Sequence, residues 1–421
     1  VSHRIDWVRR AVCVSLVLLV AATWRLWFSP EPFPQIPLLR LAVDLPPTID
    51  PIAAAVMLIA AAAAAAVRSI RLQTIALSTA AFSLVLLFVG DQHRLQPWAY
   101  QIFWMLIAIA CCRAAVALRM IRILVVSIYL FSGISKLDYQ FVYTIGRDFL
   151  GGLVGMTGQS IEGWPETLLV AATLSFPIGE IAIAVALVFA RTRGAAVLAA
   201  IAMHLILFVL LGPLGLNHQP GVLIWNLVSA TMVGLLFWKV SGGAGVDATQ
   251  ADKESEVPRA ESQSHLSRPH LQPLAVVMLA AVSAAPLLEP FGFYDHWLAW
   301  GLYAPHNSRV RLLIDERSIE RLPASLQRHA VPIAAGSSTR QVNLDRWSID
   351  CLSVPIYPQS RFQAGVALAV LQQSQLASGF RLELQSASNR RDGQRTIQEI
   401  GNQDQLKLHL NRYTFNALPR R

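Results

Sequence analysis

Charged residues are scarce in this chain: Asp, Glu, Lys and Arg make up 14% of 421 residues, while hydrophobic residues reach 54%. Soluble domains carry about 25% charged residues, so the deficit excludes an ordinary soluble fold. Cysteine is equally sparse, with Cys111 and Cys112 adjacent and Cys13 and Cys351 alone. That spacing excludes a disulfide framework and a CxxC zinc site, and no bound metal is expected. Lysine is almost missing too. Nearly all of the 35 basic residues are arginine, and Lys136 is the only lysine before Lys239.

What the chain does contain is a series of apolar runs, each long enough to cross about 30 Å of hydrocarbon. They fall at Val8–Phe28, Ile49–Val67, Gln73–Gly90, Ala99–Leu118, Ile121–Leu137, Thr167–Ala190, Gly194–Leu211 and Gly221–Val240, and Pro273–Leu288 is a shorter ninth. The first has the basic flank and apolar middle of a signal peptide, but without a small-x-small cleavage site it is expected to stay as an anchored span. The formal charge of +9 sits at the ends of apolar runs rather than along one aromatic-studded face. It therefore reads as membrane topology and excludes a nucleic-acid footprint. If every run crosses once, Arg9/Arg10, Arg68/Arg71, Arg119/Arg122 and Arg191/Arg193 share one side, which the positive-inside bias makes cytoplasmic. The loops at 29–48, 91–97, 138–166 and 213–220 then face outward, and the N-terminus is cytoplasmic.

The expected organisation is an all-α polytopic membrane domain of eight or nine spans over residues 1–240 and 273–290, followed by a small α+β domain over 291–421. Residues 241–272 are rich in Gly, Ser, Glu, Asp and Gln and read as a flexible polar linker. If 273–290 crosses, the C-terminal domain is extracytoplasmic. There, Arg309–Asp315 and Phe380–Gln385 alternate like strands, whereas 318–329 and 360–376 carry helical spacing. No GxGxxG, P-loop, GxSxG or HExxH occurs in this part, which leaves a membrane-proximal cap or partner-binding module.

Ionisable residues inside spans cost at least about 2.5–3.5 kcal/mol on insertion scales and mark function by default. Lys136 stands at the outer end of the fifth run. A snorkelling arginine would serve there equally well, but only lysine can surrender its proton as a general base. Asp91 and His93 lie in the outward loop after the third run; Asp91 is expected to orient or neutralise Lys136 or to pair with Arg94, and His93 is the nearest outward imidazole. Glu180 lies one turn after Pro177, deep in its span; it is open to a freed backbone carbonyl, to Arg113 or to a relay with His204. Trp98, Tyr100 and Trp104 suit an aromatic belt or a cavity wall. Asn217, His218 and Asn226 suit turn chemistry.

The stretches YLFSGISKLDYQF (Tyr129–Phe141) and GDQHRLQPWAYQ (Gly90–Gln101), with Glu180 and Met203–Leu205, resemble the horizontally transferred transmembrane domain family related to vitamin K-dependent γ-glutamyl carboxylase. The likeness covers about the first 240 residues. It implies a bacterial inner-membrane protein with Lys136 as the base acting on reduced vitamin K or a similar quinone, and Asp91 as the aspartate preceding the next span. Two departures stand out. Ser135 replaces the first lysine of the family's pair, and Pro97-Trp98 replaces an Asn-His pair. Two readings follow. In one, Lys136 and Asp91 centre an outward cavity for a quinone-like ligand, with His93, Trp98, Glu180 and His204 around it. In the other, a non-catalytic scaffold, transporter or assembly factor docks a protein partner through its C-terminal domain.

Overall fold

In hydrocarbon a chain must close its own backbone hydrogen bonds, and the apolar runs accordingly become helices. The computed structural model describes residues 2–28, 33–238 and 270–420; the expected linker at 241–272 lies outside the described residues up to residue 269. The helices are α1 (Ser2–Ala22), α2 (Trp24–Phe28), α3 (Ile49–Ala66), α4 (Ile70–Gly90), α5 (Pro97–Cys111), α6 (Ala114–Ser135), α7 (Tyr139–Tyr143), α8 (Ile145–Gly155), α9 (Glu166–Val188), α10 (Arg193–Leu211), α11 (Pro220–Phe237) and α12 (Gln272–Ala284). Among the described residues, α3, α4, α6, α9, α10, α11 and the stretch Gln272–Phe291 are long and apolar enough to cross a membrane. The remaining apolar helices, α1 and α5, complete the nine runs. α1 opens with His3, Arg4, Asp6, Arg9 and Arg10, and α5 has only 15 residues. Ile52, Ile59, Ile75, Phe82 and Ile178 lie exposed along these helices, an apolar surface that only lipid or another apolar partner satisfies.

Two stretches differ from expectation. The break between the fourth and fifth runs falls at Cys112-Arg113, so Arg119 and Arg122 lie within the first three turns of α6 rather than in a loop. Arg122 Nε donates to the Leu236 carbonyl at 2.8 Å and so satisfies a free carbonyl at the end of α11. The expected outward loop 138–166 contains α7 and α8. Asp138 starts α7 by accepting from the Phe141 amide at 3.0 Å, and α8 buries Gly146, Phe149 and Leu150.

The antiparallel course places the four arginine pairs at one end of the bundle. There Arg4 donates to the Trp238 carbonyl beyond α11, and the Arg113 amide donates to Gln272 at the start of α12. The C-terminal domain sits on the opposite end. Its five-stranded antiparallel sheet runs β2-β3-β1-β4-β5, with β1 (Arg309–Asp315), β2 (Ala330–Pro332), β3 (Thr339–Val342), β4 (Phe380–Gln385) and β5 (Ile397–Ile400). The two strands read from alternation are the adjacent central pair, in register at Leu312↔Leu382. The short helix α13 (Ala324–Gln327) is preceded by a 3₁₀ turn at Glu316–Arg321, and α14 (Leu344–Leu352), α15 (Ser360–Gln373) and α16 (Gln403–Leu410) complete the domain.

α15 is buried from Arg361 to Leu368, because it lies between the sheet and the membrane domain. Gly365 permits this: a Cβ there would stand 2.3 Å from the Ala417 carbonyl oxygen and 3.1 Å from Ile36 Cδ1. The seam carries buried polar side chains. Asp50 on α3 accepts from Arg94 at 2.9 Å and Arg420 at 2.6 Å. Gln92 donates to the Pro37 and Asn416 carbonyls and accepts from Arg361, whose guanidinium also pairs with Asp295.

Candidate functional site

Ser132, Gly133 and Lys136 lie on one face of the end of α6, since residues three and four apart share a side. Gly133 sets how close α9 comes: a Cβ there would fall 2.7 Å from Ile181 Cγ1 and 2.8 Å from the Pro177 carbonyl oxygen. With no side chain in the way, the Pro177–Ile181 turn seats against α6 and carries Glu180 to Lys136. Lys136 Nζ donates to both Glu180 carboxylate oxygens at 2.8 Å and to Ser132 Oγ at 2.7 Å. Lys136 is buried, and the Glu180 side chain is 13% exposed. The contact lies past the midpoint of α9, while Lys136 caps the end of α6 that meets the C-terminal domain, where Arg390 donates to the Ile134 carbonyl at 3.0 Å.

The ion pair stands between two cavities. One, of about 200 Å³, is lined by Phe141, Phe149, Phe176, Ile183 and Leu207. The other, of about 90 Å³, reaches Tyr129, His204, Trp225, Asn226 and Tyr303. Across the second runs a defined hydrogen-bond chain. Asn226 Nδ2 donates to the Val222 carbonyl at 2.9 Å, which turns its Oδ1 toward His204 Nδ1 at 3.0 Å. His204 therefore carries hydrogen on Nδ1 and presents Nε2 as an acceptor to the Tyr129 hydroxyl, 2.6 Å away. Leu302 and Tyr303 close this cavity from the segment between the last span and β1. Trp300 and Tyr303 hold φ values of +62° and +55° there, which bulky residues adopt only when the surroundings enforce them.

The structure thus joins Lys136, Glu180 and His204 around one pair of cavities and separates them from Asp91, His93 and Trp98. Glu180, not Asp91, is the carboxylate facing Lys136; Arg113 is at the far end of α6, and His204 pairs with Tyr129 rather than with Glu180. Depth alone had matched Asp91 to Lys136, but which way each helix is turned decides the partner. Asp91 accepts from the amides of His93 at 3.1 Å and Ile36 at 3.3 Å, capping the turn that meets the C-terminal domain. His93 Nε2 donates to the Pro355 carbonyl at 2.8 Å, and its ring lies between Phe33 and Phe362. Trp98 packs on Trp27 with ring centroids 5.7 Å apart. Tyr100 bonds Tyr294 at 2.6 Å and stands edge-on to Trp104, so both join the aromatic core. Asn217 takes a left-handed turn, and His218 faces Tyr303.

The seam residues Asp91 and His93 titrate in opposite senses. Burial pushes the Asp91 carboxyl up to about 6, against the pull of Arg94 and the two amides, with Asp50 adding to the rise. Burial pushes His93 down to about 4, assisted by Arg94 and opposed by its bond to the Pro355 carbonyl. Between pH 4 and 6 the folded state holds a proton on Asp91 that the unfolded chain releases, so this term falls as pH rises. The unfolded chain instead holds a proton on His93 between pH 4 and 6.5, so that term rises with pH. Each is on the order of 3 kcal/mol, and they nearly cancel. Relative to wild type, Asp91→Asn is expected to gain stability from pH 4 to 7 and His93→Gln to lose it. Thermal unfolding across that range checks this; parallel profiles for the two variants would refute it.

Among the described residues, one group of side chains has metal-binding composition: Glu289, His296 and His306. The sequence reading missed it because its three members follow no motif spacing. Comparison with known protein families, curated proteins and solved structures finds no match to this chain. What the fold defines is a polytopic helical membrane domain carrying an α+β domain on one end.

Proposed function

We propose that this chain is a bacterial inner-membrane protein that binds a lipophilic quinol-type ligand beside Lys136 and exchanges a proton with it. The observation that carries this reading is the Lys136–Glu180 pair, buried between two largely apolar cavities with the Tyr129–His204–Asn226 chain alongside. Intramembrane ion pairs of this kind are costly and are retained for ligand or proton traffic. Glu180 takes one ammonium proton across the 2.8 Å contact; the neutral Lys136 amine then accepts the proton of a ligand hydroxyl, leaving a phenolate against the restored ammonium. The resemblance to the carboxylase-related family points to the same lysine and to a reduced quinone. Carboxylation of glutamate is not part of the proposal, because Pro97 and Trp98 stand in place of the family's Asn-His pair and do not line the cavities beside Lys136 and Glu180. With the arginine-rich end taken as cytoplasmic, the C-terminal domain is extracytoplasmic. Partner docking draws less support, since α15 and the C-terminal segment already face the chain's own bundle.

Native mass spectrometry of protein extracted in mild detergent tests the reading. Quinone is expected to co-purify with wild type and to be lost from Lys136→Ala, while Lys136→Arg, which cannot give up its proton, retains no proton exchange with added quinol. Absence of quinone from wild type, or equal retention by Lys136→Ala, would overturn it.

A further inference from the structure

We propose that Glu289, His296 and His306 form a site for a divalent transition-metal ion, with zinc the best fit, that fixes the segment closing the Lys136 cavity. Glu289 Oε1 lies 3.1 Å from His296 Nδ1 and 3.0 Å from His306 Nε2. Ligands about 2.0–2.1 Å from a tetrahedral zinc are about 3.3 Å from one another, close to these two separations, and the three ligand atoms all lie within 4.8 Å of one another. All three side chains are largely buried, and an imidazole–carboxylate set selects zinc-like ions over magnesium or calcium.

The outward sides of both rings are arranged as metal-bound histidines require. His296 Nε2 meets the Ala304 carbonyl at 2.8 Å, so it bears a hydrogen and a neutral ring presents the Nδ1 lone pair to Glu289. His306 Nδ1 faces Asp138 Oδ2 at 3.4 Å; both atoms are buried and lack a hydrogen bond of good geometry. Each ring thus turns one nitrogen to an oxygen acceptor and the other to the same carboxylate oxygen. Two extra protons would satisfy this, giving two imidazolium rings with centroids 4.6 Å apart, beside Arg390. One divalent cation supplies the same charge with both rings neutral. Arg390 occupies the other oxygen, Glu289 Oε2, at 3.1 Å. Its Nη2 also stands 3.3 Å from His306 Nε2, an approach that metal binding has to relieve.

The placement gives the ion a task. Glu289 ends the last span, while His296 and His306 bracket Leu302 and Tyr303. Gly301 has its amide on the His296 carbonyl at 2.9 Å, and a Cβ on it would lie 2.5 Å from the His296 ring. Asp138, behind His306, is two residues from Lys136. Metal at this site would hold the closing segment and the end of α6 in one geometry. The inference does not depend on what the cavity binds.

The test uses full-length protein in detergent, stripped with chelator and then titrated with zinc or cobalt(II) alone. Stoichiometric uptake, a cobalt visible spectrum of four-coordinate type and a raised unfolding midpoint are expected. Glu289→Gln and His306→Ala should lose stoichiometric uptake. Asp138→Asn keeps the α7 cap but presents an amide N–H to His306 Nδ1, which moves the ring hydrogen onto Nε2; zinc affinity should fall about 10–100-fold. Lack of stoichiometric uptake by wild type would overturn the proposal in favour of a protonated-histidine cluster, as would unchanged zinc affinity in Asp138→Asn. The wild-type cobalt spectrum decides the matter even if a ligand variant fails to fold.

Discussion

Replacing Glu180 with glutamine lowers the stability of the protein in detergent by about 3–5 kcal/mol, and adding Lys136→Met to the same chain recovers most of the loss. Removing one member of a buried ion pair strands the other as an uncompensated charge, whereas replacing both with uncharged groups of similar size is close to neutral. With glutamine there Lys136 keeps only neutral acceptors, the new amide oxygen and Ser132, whose Oγ lies at 2.7 Å and carbonyl at 3.3 Å. Methionine follows the lysine stem and adapts to the surrounding Phe141 and Leu207. A double-mutant cycle on unfolding free energies should give a coupling of at least about 1 kcal/mol. Additive effects would mean that the contact between α6 and α9 is not held as described. The double variant also separates fold from function: it should be stable, yet retain no quinone. Retention by that variant would show that binding needs no ionisable pair.

Lys136 stood out because arginine occupies nearly every other basic position, and Glu180 because a carboxylate deep in an apolar run needs a reason. The pairing itself was not legible. Hydropathy reports depth but not the rotation of a helix about its axis, and that rotation depends on Gly133 lying against the Pro177–Ile181 turn, a contact between segments more than forty residues apart. The strands β1 and β4 were legible from alternation, since each pairs on both sides within a sheet packed on one helix. By contrast, α7 and α8 were missed: they are too short to register as spans, and their apolar residues are explained only by the cavity they enclose. The break before α6 was misplaced because Arg119 and Arg122 look like a loop. Long side chains at a helix end can instead reach the carbonyls of a neighbour, as Arg122 does.

Asp50→Asn is expected to cost a similar amount, about 3–5 kcal/mol, and to act at the seam where the C-terminal domain is held to the bundle. Asp50 is buried on α3 and receives Arg94 at 2.9 Å and Arg420 at 2.6 Å on the same oxygen. The Gln35 amide nitrogen also donates to it, at 3.0 Å. Arg94 and Arg420 are themselves buried to within a few per cent, so asparagine leaves two guanidinium groups facing each other with no anion between them. Arg94 has further partners in the Leu26 and Leu87 carbonyls and belongs to the rigid turn that also carries Asp91 and His93. Arg420 lies beyond α16 on a segment with no helix or strand of its own, held elsewhere by the Leu45 and Pro46 carbonyls and Gln35. Strain should therefore be relieved at the irregular Arg420 segment: amide exchange is expected to rise at residues 416–420 and at the loop carrying Gln35–Leu38, which pairs with it, well before the helical α3 or α4 responds. Arg420→Gln added to Asp50→Asn removes one stranded cation and should restore part of the stability. Uniform exchange across α3, α4 and the C-terminal segment in Asp50→Asn would instead mean that the seam and the bundle unfold as one unit.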